Sequence, residues 1–310
     1  MDLSVKIGKL VCKNPVMVAS GTFGYAEEFA DFLDLKKLGA VVSKTITLKP
    51  RAGNLPPRTC ETPAGMLNSI GLENPGIEVF IKEKLPYLKK LGIPLIVSIA
   101  SEADPQEFVK LAQRLDSIKE VSAIELNISC PNIKVTRSPG NQVPSMIAQD
   151  HRATYAVVKA VRRVTTKTLI TKLSPNVTDI VSIACAAADA GTDALALINT
   201  LSGMAIDSAT RKPRIAMISG GLSGPAIRPV AVHMVRQVYQ KIPLPIIGMG
   251  GIIDASSALE FIIAGATAVS IGTANFIKPA VTIEVIEGLA RYVKKHNLRS
   301  LDNLIGKLSA

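Results

Sequence analysis

The sequence predicts an α/β fold, a (β/α)8 barrel of the TIM type. Eight short apolar runs, rich in β-branched residues, recur along the 310 residues, and helical patterns separate them. Runs that are apolar on both faces read as parallel strands covered by helices. Eight such units in a chain of this length read as a barrel. A further observation gives the fold a functional end. The runs span 16–20, 41–44, 95–98, 123–127, 169–172, 194–199, 245–248 and 268–272, and they stop at Ser20, Lys44, Ser98, Asn127, Lys172, Asn199, Gly248 and Gly272. In a parallel barrel the C-terminal ends of all strands meet at one mouth. Two lysines and two asparagines, far apart in sequence, are therefore expected in one pocket.

Taken in order, residues 3–13 come first. Leu3, Val5 and Ile7 alternate with polar positions that include Lys6 and Lys9, the pattern of a short antiparallel hairpin, placed to plug the bottom of the barrel. Helical patterns then cover 27–38, 76–91, 105–116, 151–164, 178–190, 229–240, 255–264 and 279–296. Asp104 followed by Pro105 is a cap with proline in the first turn. Asp254 caps the next-to-last helix, with Ser256 and Ser257 in its first turn. No composition shift or internal repeat divides the chain, so residues 1–310 are expected to form a single domain. Three connections, 45–75, 130–150 and 200–228, are long and carry repeated Pro or Gly. Long loops inside a compact domain are usually functional. All three follow strands, which puts them at the mouth.

Composition narrows the function. The chain is 47% hydrophobic and 20% charged, with 4% aromatic residues and no Trp. A large aliphatic core follows, and a base-stacking nucleic-acid surface is disfavoured. The net charge of +11 is scattered over helical segments. It reads as solvated faces, or as a field that attracts anionic ligands or an acidic partner. The four cysteines, Cys12, Cys60, Cys130 and Cys185, form no C-x-x-C pair, which argues against a zinc or iron–sulfur site in the chain and leaves no metal site. No signal peptide precedes the first strand and no apolar stretch suffices to span a bilayer. A cytoplasmic, reducing location is expected.

Three constellations carry chemistry. Residues 245–251 run from a strand through Gly248, Gly250 and Gly251 into a capped helix, and Gly272-Thr273 repeats the idea after the last strand. Glycine turns free backbone N–H groups to meet a phosphate, and the helix start favours its charge. On the last two strands they form a phosphate cradle, to which Gly220, Gly221 and Gly224 could add a wall. Lys44 and Lys172 end strands in apolar company, where an ammonium needs a counter-charge. A Schiff base, an anion clamp and stabilisation of a reduced cofactor ring are all open. Asn68, Asn127, Asn132 and Asn199 offer paired donors and acceptors that suit the edge of a pyrimidine or its dihydro form. Cys130 precedes a proline in a polar loop, positioned as a base. Cys12, Cys60 and Cys185 read as inert.

Together, Ser20-Gly-Thr-Phe-Gly24, Lys44-Thr45, Asn68-Ser-Ile-Gly-Leu72, Asn127-Ile-Ser-Cys-Pro-Asn132, Asn199-Thr200, Gly220-Gly-Leu-Ser-Gly-Pro-Ala226 and Gly248-Met-Gly-Gly251 resemble class 1 dihydroorotate dehydrogenase. The likeness is collinear over nearly the whole chain. Gly-Thr-Phe-Gly and Asn74-Pro-Gly76 look more like subclass 1B than 1A. The resemblance implies FMN and oxidation of dihydroorotate to orotate in pyrimidine synthesis. It implies Cys130 as the base. Lys44, Asn68, Ser69, Ile70, Gly71, Leu72, Asn127, Asn132, Asn199 and Thr200 are implied at the substrate. Ser20, Gly21, Lys44, Thr45, Ser98, Asn127, Lys172, Ile198, Gly224, Gly250, Gly251, Gly272 and Thr273 are implied at the flavin. It further implies a homodimer joined to a second subunit that carries FAD and a [2Fe-2S] cluster and passes electrons to NAD, with no membrane and no nucleic acid among the partners.

The chain departs from the family pattern at Ser98, where asparagine often stands. The loop 133–149 is longer and richer in Pro and Arg, which leaves the contact of Arg137 open. Competing readings are a fumarate-linked, 1A-like enzyme, a non-redox aldolase or synthase with Lys172 as Schiff-base nucleophile, and an anion- or RNA-binding barrel. The carboxamide cluster and Cys130 argue against the last two.

Overall fold

The computed structural model of the protein describes residues 2–101, 104–129 and 146–309. Eight parallel strands form its centre: Val16–Val18, Val41–Val42, Leu95–Ile99, Val121–Asn127, Thr168–Lys172, Ala194–Leu197, Ile246–Met249 and Ala268–Ile271. They pair in chain order from the second to the eighth, and the eighth then pairs with the first. A parallel bridge between Met17 and Ala40 joins the first strand to the start of the second. The expected barrel is thereby closed, and each strand lies within a few residues of its predicted run.

Strand alternation divides the apolar residues into two cores. Val16, Val18, Val97, Leu126, Leu169, Leu195, Val269 and Ile271 point outward and pack against the helices. Met17, Val42, Ile96, Ala123, Ile170, Ala196, Ile247 and Ala268 point inward. Val5, Ile7, Leu10 and Cys12 join this inner group. They come from the hairpin Val5–Ile7 and Leu10–Cys12, which fills the end of the barrel near Thr168 and Asp193. The hairpin is therefore the bottom plug that its alternation predicts. Burial pushes the Cys12 thiol up to about 12, and it stays an inert part of that plug.

Helices cover the outside at Pro105–Asp116, His151–Arg162, Ile180–Asp189, Arg228–Tyr239, Ala255–Ala264 and Val281–Lys295. Aspartates start four of them. Asp104 accepts from the Gln106 N–H at 2.8 Å, Asp150 from Arg152 at 2.7 Å, Asp179 from Val181 at 2.9 Å and Asp254 from Ser257 at 2.7 Å. Each bond satisfies an N–H that the helix leaves free.

Three elements differ from the sequence reading. Residues 27–38 form no continuous helix but two 3-10 turns, Glu27–Phe29 and Leu35–Lys37. Asp34 accepts from the Lys36 N–H and starts the second turn afresh, because a short acidic side chain competes for backbone donors. The helical stretch 76–91 forms, but it widens into a π-helical turn over Phe80–Lys84, where the Leu85 N–H reaches the Phe80 carbonyl. Pro86 has no N–H for the Lys82 carbonyl, so the regular ladder is interrupted there and a wider turn takes its place. Two of the long connections are not plain loops either. Strands Thr59–Thr62 and Gly65–Asn68 from the first, and Leu201–Met204 and Ser219–Ser223 from the third, build one four-stranded antiparallel sheet. Among the described residues, no helix is long and apolar enough to cross a membrane.

The plug gives the first prediction. Ile7 is fully buried, whereas Val11 on the same hairpin is 65% exposed. Ile7→Ala is expected to lower unfolding stability by about 2–5 kcal/mol, and Val11→Ala to change it by less than about 0.5 kcal/mol, both read from urea unfolding curves.

Candidate active site

The parallel strands deliver their last residues to one cavity of about 420 Å³ at the C-terminal mouth. Ser20 and Gly21 reach it from beyond the first strand, and Lys44 and Thr45 from beyond the second. Asn127 and Lys172 are the last residues of the fourth and fifth strands, and Ile198, Asn199 and Thr200 follow the sixth. Gly250 and Gly251 follow the seventh strand, and Gly272 and Thr273 the eighth. Asn127 and Lys172 sit opposite each other in the parallel register. The small antiparallel sheet closes the cavity from above and supplies Thr59, Met66, Asn68 and Ser223, with Ile70, Gly71, Leu72 and Gly224 beside it. Asn68 donates to the Gly221 carbonyl across that sheet at 3.3 Å.

The floor is a hydrogen-bonded group of amides and hydroxyls. Asn199 Nδ2 donates to Ser129 Oγ at 2.9 Å and to the Ser129 carbonyl at 3.1 Å. Ser129 Oγ donates to Asn127 Oδ1 at 3.2 Å, and Asn127 Nδ2 donates to Thr45 Oγ1 at 3.2 Å. The eighth-strand turn ties into the lid, where Thr273 Oγ1 donates to Ser223 Oγ at 2.8 Å. Lys172 is 5% exposed, and its ammonium meets Ser20 Oγ at 3.4 Å. Neither Lys172 nor Lys44 forms an ion pair with a described residue. Two cations at one cavity with no ion pair among the described residues suit anionic ligands. No group of three or more metal-binding side chains occurs among the described residues.

Nearly all the site residues expected from sequence thus line one wall or another. Ser69 and Ser98 are both fully buried behind it. Ser98 touches Thr45, which does line the cavity, at 3.0 Å. Cys130 and Asn132 lie outside the described residues, as does the loop 133–145. Sequence reasoning passed over Thr59, Met66 and Ser223 in the lid and Ser270 in the last strand. Ser223 and Ser270 sit inside the two glycine motifs, which was their signal. Glu125, 2% exposed, lies just below the floor. Its signal was a charge inside an apolar strand run, two residues before Asn127 and so on the same strand face.

The glycines of the cradle fall into two kinds. Gly224 has φ +97° and ψ −169°, a region open essentially to glycine alone, and a Cβ there would lie 2.7 Å from Gly65 Cα. Gly272 lies outside the left-handed region, and the nearest atom to a Cβ there would be 3.6 Å away. A Cβ at Gly21 would meet nothing within 4 Å. The backbone does not demand glycine at 21 or 272, yet both face the cavity.

The sequence profile of the dihydroorotate dehydrogenase family matches residues 2–293. The chain belongs to that family. It is an oxidoreductase of a flavoprotein family, in line with the class 1 resemblance of its motifs. Similar proteins carry the name dihydroorotate dehydrogenase B (NAD(+)), catalytic subunit. The one from Pelobacter propionicus is 53% identical over 307 residues, covering 99% of this chain and 98% of the relative. That from Geotalea uraniireducens is 51% identical over 307 residues with the same coverage. The relative from Desulforudis audaxviator is 52% identical over 303 residues, covering 98% of this chain and 96% of its own length.

The two kinds of glycine predict different behaviour. Gly224→Ala is expected to destabilise the ligand-free protein by about 1–3 kcal/mol. Gly272→Ala is expected to stay within about 0.5 kcal/mol of wild type. Thermal or urea unfolding of the ligand-free variants measures both.

Proposed function

We propose that the chain is the FMN-binding catalytic subunit of an NAD-linked dihydroorotate dehydrogenase, acting as a single barrel domain that oxidises dihydroorotate to orotate in pyrimidine synthesis. The observation that carries this reading is one cavity in which a glycine cradle, two lysines with no ion pair among the described residues and a carboxamide floor converge. FMN fits this cavity on structural grounds. Gly21 and Gly272 leave open space where side chains would intrude. Ser270 Oγ is buried at the cavity without a partner among the described residues, and a bound ligand would satisfy it. Gly250, Gly251, Gly272 and Thr273 would hold the phosphate. Ser20, Gly21, Thr45, Asn127, Lys172, Ile198 and Gly224 would line the ring and its chain, with Ser98 supporting Thr45 from behind.

When bound, FMN supplies the acceptor for the hydride from C6 of the substrate. The residues of the chain do the rest. Lys44 balances the substrate carboxylate. Lys172 places a buried positive charge where reduction gathers negative charge. Asn68, Asn127, Asn132, Asn199 and Thr200, with the backbone at 69–72, orient the dihydropyrimidine through their donors and acceptors. Cys130, next in sequence after the anchored Ser129, takes the C5 proton. A free thiol titrates near 8.5, so the rate should rise with pH through the pKa of Cys130.

FMN held in this cavity would need an electron acceptor from outside the chain. The relatives' "catalytic subunit" implies a second subunit, which on the class 1B reading carries FAD and a [2Fe-2S] cluster. Ile253, Phe276 and Ile277 line the cavity yet are 41%, 56% and 76% exposed, an apolar rim suited to such a partner. A homodimer of this chain in the cytoplasm completes the reading.

Purified protein is expected to be yellow, with one FMN per chain. Gly272→Asp should lose the flavin while staying folded. A colourless wild type that FMN cannot reconstitute would overturn the reading. Cys130→Ser should keep FMN and slow its reduction by dihydroorotate by about 10²–10⁴ near neutral pH, in stopped-flow absorbance. For the acceptor, NADH formation followed at 340 nm should require the partner subunit. Robust NAD⁺ reduction by the chain alone would refute the partner, and efficient turnover with fumarate would indicate a 1A-like enzyme.

A further inference from the structure

Among the described residues, two charged side chains are buried, Lys172 and Glu125. They lie on adjacent strands of the barrel, where Glu125 pairs with Ile170 and Asn127 with Lys172. Lys172 lines the cavity and has a place in the proposed chemistry. Glu125 does not line it and has no ion pair with a described residue. A buried carboxylate is costly unless its surroundings use the charge, so its bonds are informative.

Ser98 Oγ donates to Glu125 Oε1 at 2.8 Å. Ser98 Oγ and Thr45 Oγ1 lie 3.0 Å apart, a contact in which either hydroxyl could donate. Asn127 Nδ2 lies 3.2 Å from Thr45 Oγ1. The chemistry removes the ambiguity. A carboxylate only accepts, so Ser98 spends its one hydrogen on Glu125. Thr45 must then donate to Ser98, and Thr45 Oγ1 is left to accept from the Asn127 NH2 group. One end thus sets the direction of every bond. On the other side of the Asn127 amide, Oδ1 accepts from Ser129 Oγ at 3.2 Å and from Asn199 Nδ2 at 3.4 Å, which agrees with the same orientation.

We propose that Glu125 is a positioning residue: its carboxylate orders the chain Asn127→Thr45→Ser98→Glu125 and so turns the Asn127 amide to present an N–H to the cavity. Asn127 lines the cavity, and one of its two amide hydrogens is spent on Thr45. The other meets no described residue and suits an acceptor, a carbonyl oxygen or deprotonated nitrogen on a planar heterocycle. Charge-assisted bonds of this kind are the strong ones, and bonds in a chain reinforce one another. Ser98, behind the cavity wall, is in this view a relay rather than a ligand contact. The inference rests on the reading of the cavity as the FMN and orotate site.

The test is a double-mutant cycle on orotate affinity, read from the change in flavin absorption on titrating the FMN-loaded protein. Glu125→Gln has nearly the same shape, but its amide can donate to Ser98 as well as accept, so the chain loses its fixed direction. It is expected to weaken orotate binding by about tenfold. Asn127→Ala also weakens binding, and adding Glu125→Gln to it should cost nothing more. Wild-type affinity in Glu125→Gln, or an equal further loss in the Asn127→Ala background, overturns the proposal. The second result would assign Glu125 a through-space effect on Lys172, or a purely structural role. If Glu125→Gln does not fold or does not hold FMN, Ser98→Ala cuts the same chain without touching a charge. The same coupling to Asn127→Ala is then expected, and additivity is again the overturning result. A wild type that binds FMN but shows no orotate response removes the substrate reading, and this inference falls with it; a normal wild-type response with an additive cycle removes the inference alone.

Discussion

The parallel hydrogen-bonded ladder that closes through the eighth, first and second strands is the constraint on which the rest depends. Parallel pairing sends every strand end in one direction. Closure then brings those ends together within the width of one cavity. The barrel interior below them is filled by Met17, Val42, Ile96, Ala123, Ile170, Ala196 and Ile247 and sealed by the hairpin that carries Ile7 and Leu10. Without that filling, the polar residues above would stand over a void or a water channel. With it, Asn127 and Lys172 stand side by side on a rigid floor, which is how residues on unlike segments hold positions good to fractions of an ångström.

The lid works by a different kind of pairing. Two excursions, one after the second strand and one after the sixth, form a single antiparallel sheet in which Asn68 stands opposite Gly221. Backbone bonds between segments more than 150 residues apart thus fix the proposed substrate side of the cavity. Thr273 on the eighth-strand turn bonds Ser223 on the lid, so the proposed phosphate end and the lid are mechanically joined. The cavity is framed by bonded groups on the barrel and lid sides, while its apolar rim at Phe276 and Ile277 faces outward.

The electrostatics follow the same division. The positive charges at the mouth have no anionic partners among the described residues, so they are held ready for the ligand. Glu125 is placed lower, where it meets a hydroxyl rather than an ammonium. A carboxylate in direct contact with Lys172 would neutralise the charge the ligand needs. One residue layer down, it orders the hydroxyls and amides instead.

Much of this was legible in the sequence because it is local. Strand runs, their polar or glycine ends, the Asp caps at 104 and 254 and the hairpin at 3–13 depend on residues within a turn or two of one another. Barrel topology then dictates which ends meet, and the motif order was specific enough to reach the family. The tertiary structure decided the rest. The turn at Asp34 and the widened turn before Pro86 arise where one residue redirects backbone donors. The lid sheet could not be read from 45–75 or 200–228 separately, since neither segment has a partner within itself for both of its edges. The resemblance implied Ser98 at the flavin, but its hydroxyl bonds Glu125 and the residue does not line the cavity. Sequence fixes which side chains arrive at the mouth through strand periodicity and parallel closure. Which atom each presents depends on hydrogen bonds between distant segments, and those exist only once the barrel has closed.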